Sequence, residues 1–292
     1  MNLPTGSSAA APPQRGLAGV WRVSIFLGVA LLSVTGLQLS ATALWRVGAI
    51  GLPSMTWSVT SLSLGLLVAH AVVIRRYHSG DWAYVGLDRA AAESATLLHA
   101  MALGALAIGV PSLLLLGAGE LSYESAGVSN VGLTTSPWAL LAVLVPAALW
   151  EELALRGYVL SVLRERYGAR VALLVTSVLF GALHLQNAGS TALSTVAVVL
   201  AGVFLGLVRL STGSLYAAWI AHLAWNLTMS FVLRTPVSGI DLSVGGYRIV
   251  DSGPDWLTGG AWGPEGGLAA MLGMCAGSWY LVRRSRREEF TT

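Results

Sequence analysis

Glu151 and Glu152 stand side by side in an otherwise apolar run, PWALLAVLVPAALWEELALRGYVL. A carboxylate at membrane depth costs about 2.5–3.5 kcal/mol on insertion scales, so it needs a local partner and normally serves a function. Arg156 follows Glu152 by four residues, the spacing that sets two side chains on one helical face as an ion pair. Glu151 is turned about 100° from that face and has no partner in its own helix. Two further pairs recur at the same spacing in later apolar segments, Phe180 with His184 and His222 with Asn226.

A lone carboxylate, two histidines and an amide on separate apolar segments suit hydrolysis. Splitting a peptide bond needs an activated water and donors for the oxyanion that forms. A carboxylate among apolar groups is suited to take the water's proton, which makes Glu151 the candidate general base. His184 would hold the same water, by a hydrogen bond or through a metal. His222 and Asn226, one turn apart, would donate to the oxyanion, at roughly 3–4 kcal/mol per donor.

The elements that carry these residues are membrane helices. The chain is 55% hydrophobic and 11% charged, against about 25% charged in ordinary soluble domains, and its mean hydropathy is +0.69. All 17 basic residues are arginine. With abundant Ala, Gly and Leu this suggests a GC-rich, bacterial source. The net charge of +3 is too small and too dispersed for a nucleic-acid partner. Cys275 is the only cysteine, so neither an internal disulfide nor a cysteine metal cage can form.

Residues 1–16, rich in Ala, Ser and Pro, read as a disordered tail, and 286–292 as a cytoplasmic tail. Between them lies one polytopic membrane domain, 17–285. Windows long enough to span a bilayer fall near 20–44, 56–74, 95–118, 137–160, 171–188, 193–210, 214–233 and 266–282. The expected fold is therefore an all-α integral membrane protein of about eight helices, with a hydrophilic cavity between the fourth, fifth and seventh. The Gly- and Pro-rich gap at 234–265 is either a loop or a half-buried lid. Pro146 cannot donate to the helix ladder and is expected to kink the fourth helix beside Glu151. Ala41-Thr42-Ala43 resembles a signal-peptidase site, but the apolar run before it is long enough to favour an uncleaved anchor.

The arginines orient this arrangement. With the N-terminus inside, Arg15, Arg22, Arg75, Arg76, Arg89, Arg164, Arg166, Arg170, Arg209, Arg283, Arg284, Arg286 and Arg287 lie inside. Only Arg46, Arg234 and Arg248 lie outside. The positive-inside rule then places both termini in the cytoplasm. An odd number of spans would destroy the asymmetry.

WEELALRG, FGALH and HLAWN resemble the EExxxR, FxxxH and HxxxN motifs of the CPBP intramembrane proteases. That family holds the CAAX-processing endopeptidases and the bacteriocin-processing or self-immunity proteins. The motifs agree in order, in internal spacing and in their placement on separate spans, over roughly residues 135–235. The rest of the chain corresponds only as generic membrane spans. The resemblance implies an endopeptidase in the bacterial inner membrane, cutting a peptide or membrane-anchored protein at or near the cytoplasmic surface. It gives the chemistry to Glu151, His184, His222 and Asn226, with Glu152 and Arg156 in support and Phe180 packed beside His184.

Two mechanisms remain open on this footing. Glu151, His184 and His222 could form a His₂Glu set for zinc, or the glutamate could act without a metal; we expect no obligatory metal. A non-catalytic scaffold or self-immunity protein is the alternative reading. A transporter ranks lower, because the first three spans hold no counterpart of these motifs. His70 and His99 are expected to pack or to bond between helices, and His78 to be solvated. Substrate, prenylation and oligomeric state leave no trace in the sequence.

Overall fold

The computed structural model describes residues 17–48, 51, 54–125, 136–242 and 246–291, so the expected tail at 1–16 lies outside the described residues. The long apolar runs form helices α1 (Leu17–Arg46), α2 (Ser54–Tyr77) and α3 (Ser94–Ala118). Strand β1 (Leu121–Ser125) follows, then α4 (Pro137–Glu152), a π-helical turn (Leu153–Gly157) and α5 (Tyr158–Leu183). After α6 (Ala192–Thr212) and α7 (Leu215–Leu227) comes a second π-helical turn, Thr228–Leu233. Strand β2 (Tyr247–Asp251), the short helix α8 (Asp255–Thr258) and α9 (Leu268–Thr291) complete the chain. Strands β1 and β2 pair antiparallel, with Leu121 opposite Asp251.

Among the described residues, five helical stretches are long and apolar enough to cross a membrane: Gly19–Arg46, Met55–Tyr77, Ser94–Ala118, Pro137–Leu183 and Ala192–Thr212. The protein is an all-α integral membrane protein. The expected break between spans at 137–160 and 171–188 takes an unusual form. Helical turns run on from Pro137 to Leu183 except at Gly157, whose ψ is −116°, and at Gly168, whose φ of 83° and ψ of 165° leave the helical region. The chain folds back at Gly168. Leu140 and Leu144, before it, pack on Leu242, and Asn187, after it, donates to the Ser238 carbonyl. Glu165 lies at the other end of the bundle, beside Arg22 and Tyr84.

The same bonds define two faces. One gathers the start of α1, the end of α2, the 82–92 linker, the corner near Gly168 and the α6–α7 junction. It is tied by Tyr84 to Glu165, Ser214 to the Ala91 carbonyl and Tyr216 to the Leu87 carbonyl. The opposite face gathers the β1–β2 pair, the 184–191 turn and the described residues of 234–267. Its ties run from Asn187 to Ser238, from Gly239 N–H to the Trp262 carbonyl, and from Ser252 N–H to the Glu120 carbonyl.

Close helix contacts rest on small residues. A Cβ on Gly202 would lie 2.9 Å from Ser177 Cα, and one on Gly273 would lie 2.1 Å from the Ala107 carbonyl oxygen. The closest of these approaches joins α3 to α7. A Cβ on Gly104 in α3 would lie 2.0 Å from the carbonyl oxygen of Ala221 in α7. Gly104→Val must part these helices, at a cost of about 1–3 kcal/mol. The expected outcome is a lower thermal midpoint in detergent; an unchanged midpoint would show that Gly104 does not set the α3–α7 distance.

Candidate active site

Glu152 is fully buried at the end of α4, and Arg156 is fully buried in the π-helical turn that follows. Arg156 donates to Glu152 Oε1 at 3.0 Å and to the Gly202 carbonyl in α6 at 3.3 Å. Its guanidinium also lies 4.3 Å from the centre of the Phe180 ring. The same Glu152 Oε1 accepts from His222 Nδ1 at 3.0 Å. One carboxylate oxygen thus fixes a guanidinium from its own chain segment and an imidazole from α7.

His222 is held by this bond with its Nε2 facing away, 3.8 Å from Glu151 Oε2. His184, the residue that closes α5, is fixed in the same manner. Its Nδ1 donates to the Phe180 carbonyl at 2.8 Å, and its Nε2 lies 3.9 Å from the same Glu151 oxygen. Phe180 packs against both rings, with centroids 4.8 Å from His184 and 5.9 Å from His222. Glu151 Oε2 is buried and has no hydrogen-bond partner among the described residues. Separations of 3.8 and 3.9 Å are too long for direct hydrogen bonds and fit a water bridging the three groups.

A cavity of about 230 Å³ opens onto this cluster. Glu151, His184, His222 and Asn226 all line it, together with Phe180. The expected walls from the fourth, fifth and seventh spans are present, but α6 adds Val198, Ala201, Phe204 and Leu205, and the 234–267 segment adds Val237, Ser238, Ile240, Leu242 and Glu265. Most of this lining is apolar, so the expected hydrophilic cavity is instead a largely apolar one, with polar groups at Glu151, His184, His222 and Asn226 and again at Asn187, Ser238 and Glu265. The apolar wall is set by the inward faces of α4 and α6, which bury Leu, Val and Phe.

The local backbone around the two glutamates is shaped by residues outside the motifs. Within α4, the carbonyls of Val145 and Pro146 are bonded from neighbouring helices by Trp219 Nε1 at 3.0 Å and Ser63 Oγ at 2.8 Å. At the other end of the glutamate pair, Gly157 has a ψ of −116° and interrupts the ladder. The amide of Tyr158 donates instead to His70 Nε2 at 3.2 Å, while His70 Nδ1 donates to the Leu66 carbonyl at 2.8 Å. A Cβ on Gly157 would lie 2.3 Å from that His70 nitrogen. A π-helical turn with a side chain inserted in its ladder often marks a functional site.

Sequence reasoning passed over four contributors: His70, Asn187, Ser238 and Glu265. Glu265 is buried, accepting from Trp225 Nε1 at 2.7 Å and from the amide and hydroxyl of Ser238 at 2.6 and 2.8 Å. Only an isolated acid in a Gly- and Pro-rich stretch could have pointed to it. His70 bonds between helices, as expected. His99 packs its ring 5.6 Å from Tyr280. His78 departs from the expectation of a solvated side chain: its ring stacks on Tyr84 at 3.6 Å, and burial pushes it below the usual histidine range.

The fit of a metal can be judged from the donors themselves. Two ligands of one tetrahedral zinc, each about 2.0–2.1 Å from it, are separated by about 3.3–3.4 Å. The Glu151–His184 and Glu151–His222 separations are wider, at 3.9 and 3.8 Å. No three His, Cys, Asp or Glu side chains among the described residues form a metal-holding group. As arranged, these residues do not fit a zinc ion.

Removing one partner of the buried pair should leave the other charge uncompensated, at about 3–5 kcal/mol. Glu152→Ala and Arg156→Ala are therefore expected to lower the thermal midpoint sharply, whereas Glu151→Ala should leave it near wild type. Equal midpoints for all three variants would contradict this division.

Residues 133–228, about a third of the chain, match the family model described as Rce1-like, type II CAAX prenyl endopeptidase Rce1-like. No curated protein and no solved structure matches the chain. The matched segment holds Glu151, Glu152, Arg156, Phe180, His184, His222 and Asn226, and excludes His70 and Glu265.

Proposed function

With residues 133–228 assigned to the CPBP/CAAX protease family, we propose that this membrane protein is an intramembrane endopeptidase in which Glu151 activates water. The observation that carries the proposal is the convergence of two imidazole nitrogens, from α5 and α7, on one unpaired Glu151 oxygen. A water held there accepts or donates to all three groups and faces the cavity.

In the proposed reaction the water oxygen attacks the scissile carbonyl carbon as Glu151 takes one of its protons. The C–N bond then breaks, and Glu151 passes that proton to the departing nitrogen, leaving a carboxylic acid and an amine. His184 orients the water through Nε2, because its Nδ1 proton is committed to the Phe180 carbonyl. His222 donates to the oxyanion from Nε2, with its Nδ1 proton on Glu152. That doubly protonated ring makes the set of Glu151, Glu152, Arg156 and His222 neutral, which suits a site buried from bulk solvent. Asn226, one turn on in α7, offers a second donor.

Substrates of this reading are peptides or membrane-anchored proteins that reach the cavity within a bacterial inner membrane, with both termini of the enzyme in the cytoplasm. Apolar walls around a polar end favour an extended segment that lays side chains on α4 and α6. The test is cleavage of a peptide library, with prenylated and unprenylated members, by purified protein in liposomes. Glu151→Ala should abolish cleavage with folding intact, and Asn226→Ala should lower kcat by about 10²–10³, the effect of one oxyanion donor. A chelator should leave the rate unchanged. Retained cleavage by Glu151→Ala contradicts the assignment.

A further inference from the structure

The cavity and the arginines lie towards opposite faces of the bundle. Arg22, Arg75, Arg89, Arg164, Arg209 and Arg283 fall on the face tied by Tyr84–Glu165 and Ser214–Ala91. None of these residues, and no residue of the loops that join them, lines the cavity. From Glu151 and His222 its walls lead the other way, to Asn187, Ser238, Leu242 and Glu265. Among the described arginines, that second face carries only Arg46, Arg234 and Arg248, alongside the acids Glu120, Glu124, Asp241, Asp251 and Asp255.

Cytoplasmic loops hold the excess of arginine, and the bias of short loops sets orientation. Combining this rule with the cavity's direction, we infer that the site opens away from the cytoplasm and takes peptide segments presented at the outer surface of the membrane. This replaces the expectation of cleavage at the cytoplasmic surface, which rested on the resemblance and not on the direction of the cavity. The substrate class is then an exported peptide, or the outer juxtamembrane segment of an anchored protein. A cytoplasmic chain end carrying a lipid group is excluded by the same geometry. The inference rests on the peptidase reading for its substrate, but not for the side on which the cavity opens.

The outer rim is built as a fixed strap. Glu265 accepts three hydrogen bonds, two from Ser238 and one from Trp225 of α7. Asn187 donates to Ser238 from the α5–α6 turn. These bonds hold the 237–242 segment over the cavity without closing it. A substrate strand entering from this side passes the strap before it meets Glu151.

The test uses the full chain with Cys275 replaced by Ser, so that single cysteines can be introduced at exposed positions on each face. Gln186, in the α5–α6 turn, and Ala90, in the 82–92 linker, are both exposed and outside the site. In intact cells, Q186C should react with a membrane-impermeant maleimide, and A90C should react only after permeabilisation. Reaction of A90C in intact cells, or failure of Q186C to react there, would overturn the proposal. In a second arm, sealed right-side-out vesicles should cleave an impermeant peptide without detergent, with inverted vesicles latent until detergent is added. Cleavage by intact inverted vesicles would equally overturn it. Absence of cleavage even in detergent would sink the peptidase reading and the substrate class with it, while the labelling still decides where the cavity opens.

Discussion

The structure depends on a carboxylate that does no chemistry in the proposed reaction. Glu152 Oε1 takes both the Arg156 guanidinium and the His222 imidazole at 3.0 Å, in a site closed to solvent. A buried anion is tolerated there because a guanidinium and an imidazole both pair with it. Arg156 is anchored a second time by the Gly202 carbonyl and lies over Phe180. One oxygen atom therefore joins α4 to Arg156 and to α7, and Arg156 carries the tie on to α5 and α6. Glu151 can remain without a protein partner because its neighbour carries that structural work.

The helices place these groups through close approach more than through bulk apolar contact. Gly104 lets α3 touch the backbone of α7 at Ala221, one residue before His222. Gly157 admits the His70 ring against the turn that follows the glutamates. The π-helical turn adds backbone between Glu152 and α5, and His70 satisfies the amide that this turn releases. Such groups must find protein partners, because lipid offers none. Each device tightens the position of a side chain of the candidate site by a contact made at its neighbour.

Much of the site was legible in the sequence, because charged and polar residues in apolar runs announce themselves and a four-residue spacing fixes a helical face. Glu151, Glu152, Arg156, His184 and His222 come together as those signals implied. Asn226 lines the same cavity. The gap at 234–265, read as a loop or a half-buried lid, buries Trp262 and Glu265. What stayed hidden depends on contacts distant in sequence. The bond from Tyr158 to His70 joins residues 88 apart and that from Trp225 to Glu265 joins residues 40 apart, and neither leaves a periodic trace. The fold-back at Gly168 was visible as an arginine-bearing gap, but the helical turns continuing almost to it on both sides were not. The direction in which the cavity opens required the faces to be assembled first.

The proposed chemistry turns on what lies between Glu151 Oε2, His184 Nε2 and His222 Nε2. An experimental electron-density map of the purified protein, with anomalous data recorded at the zinc edge, examines that point directly. The account predicts one water-sized peak within hydrogen-bonding distance of all three atoms and no anomalous signal. An anomalous peak about 2.0–2.2 Å from the three donors, the distances of a zinc site, would contradict it. So would a Glu151 carboxylate turned away from the cavity to bond elsewhere in the protein.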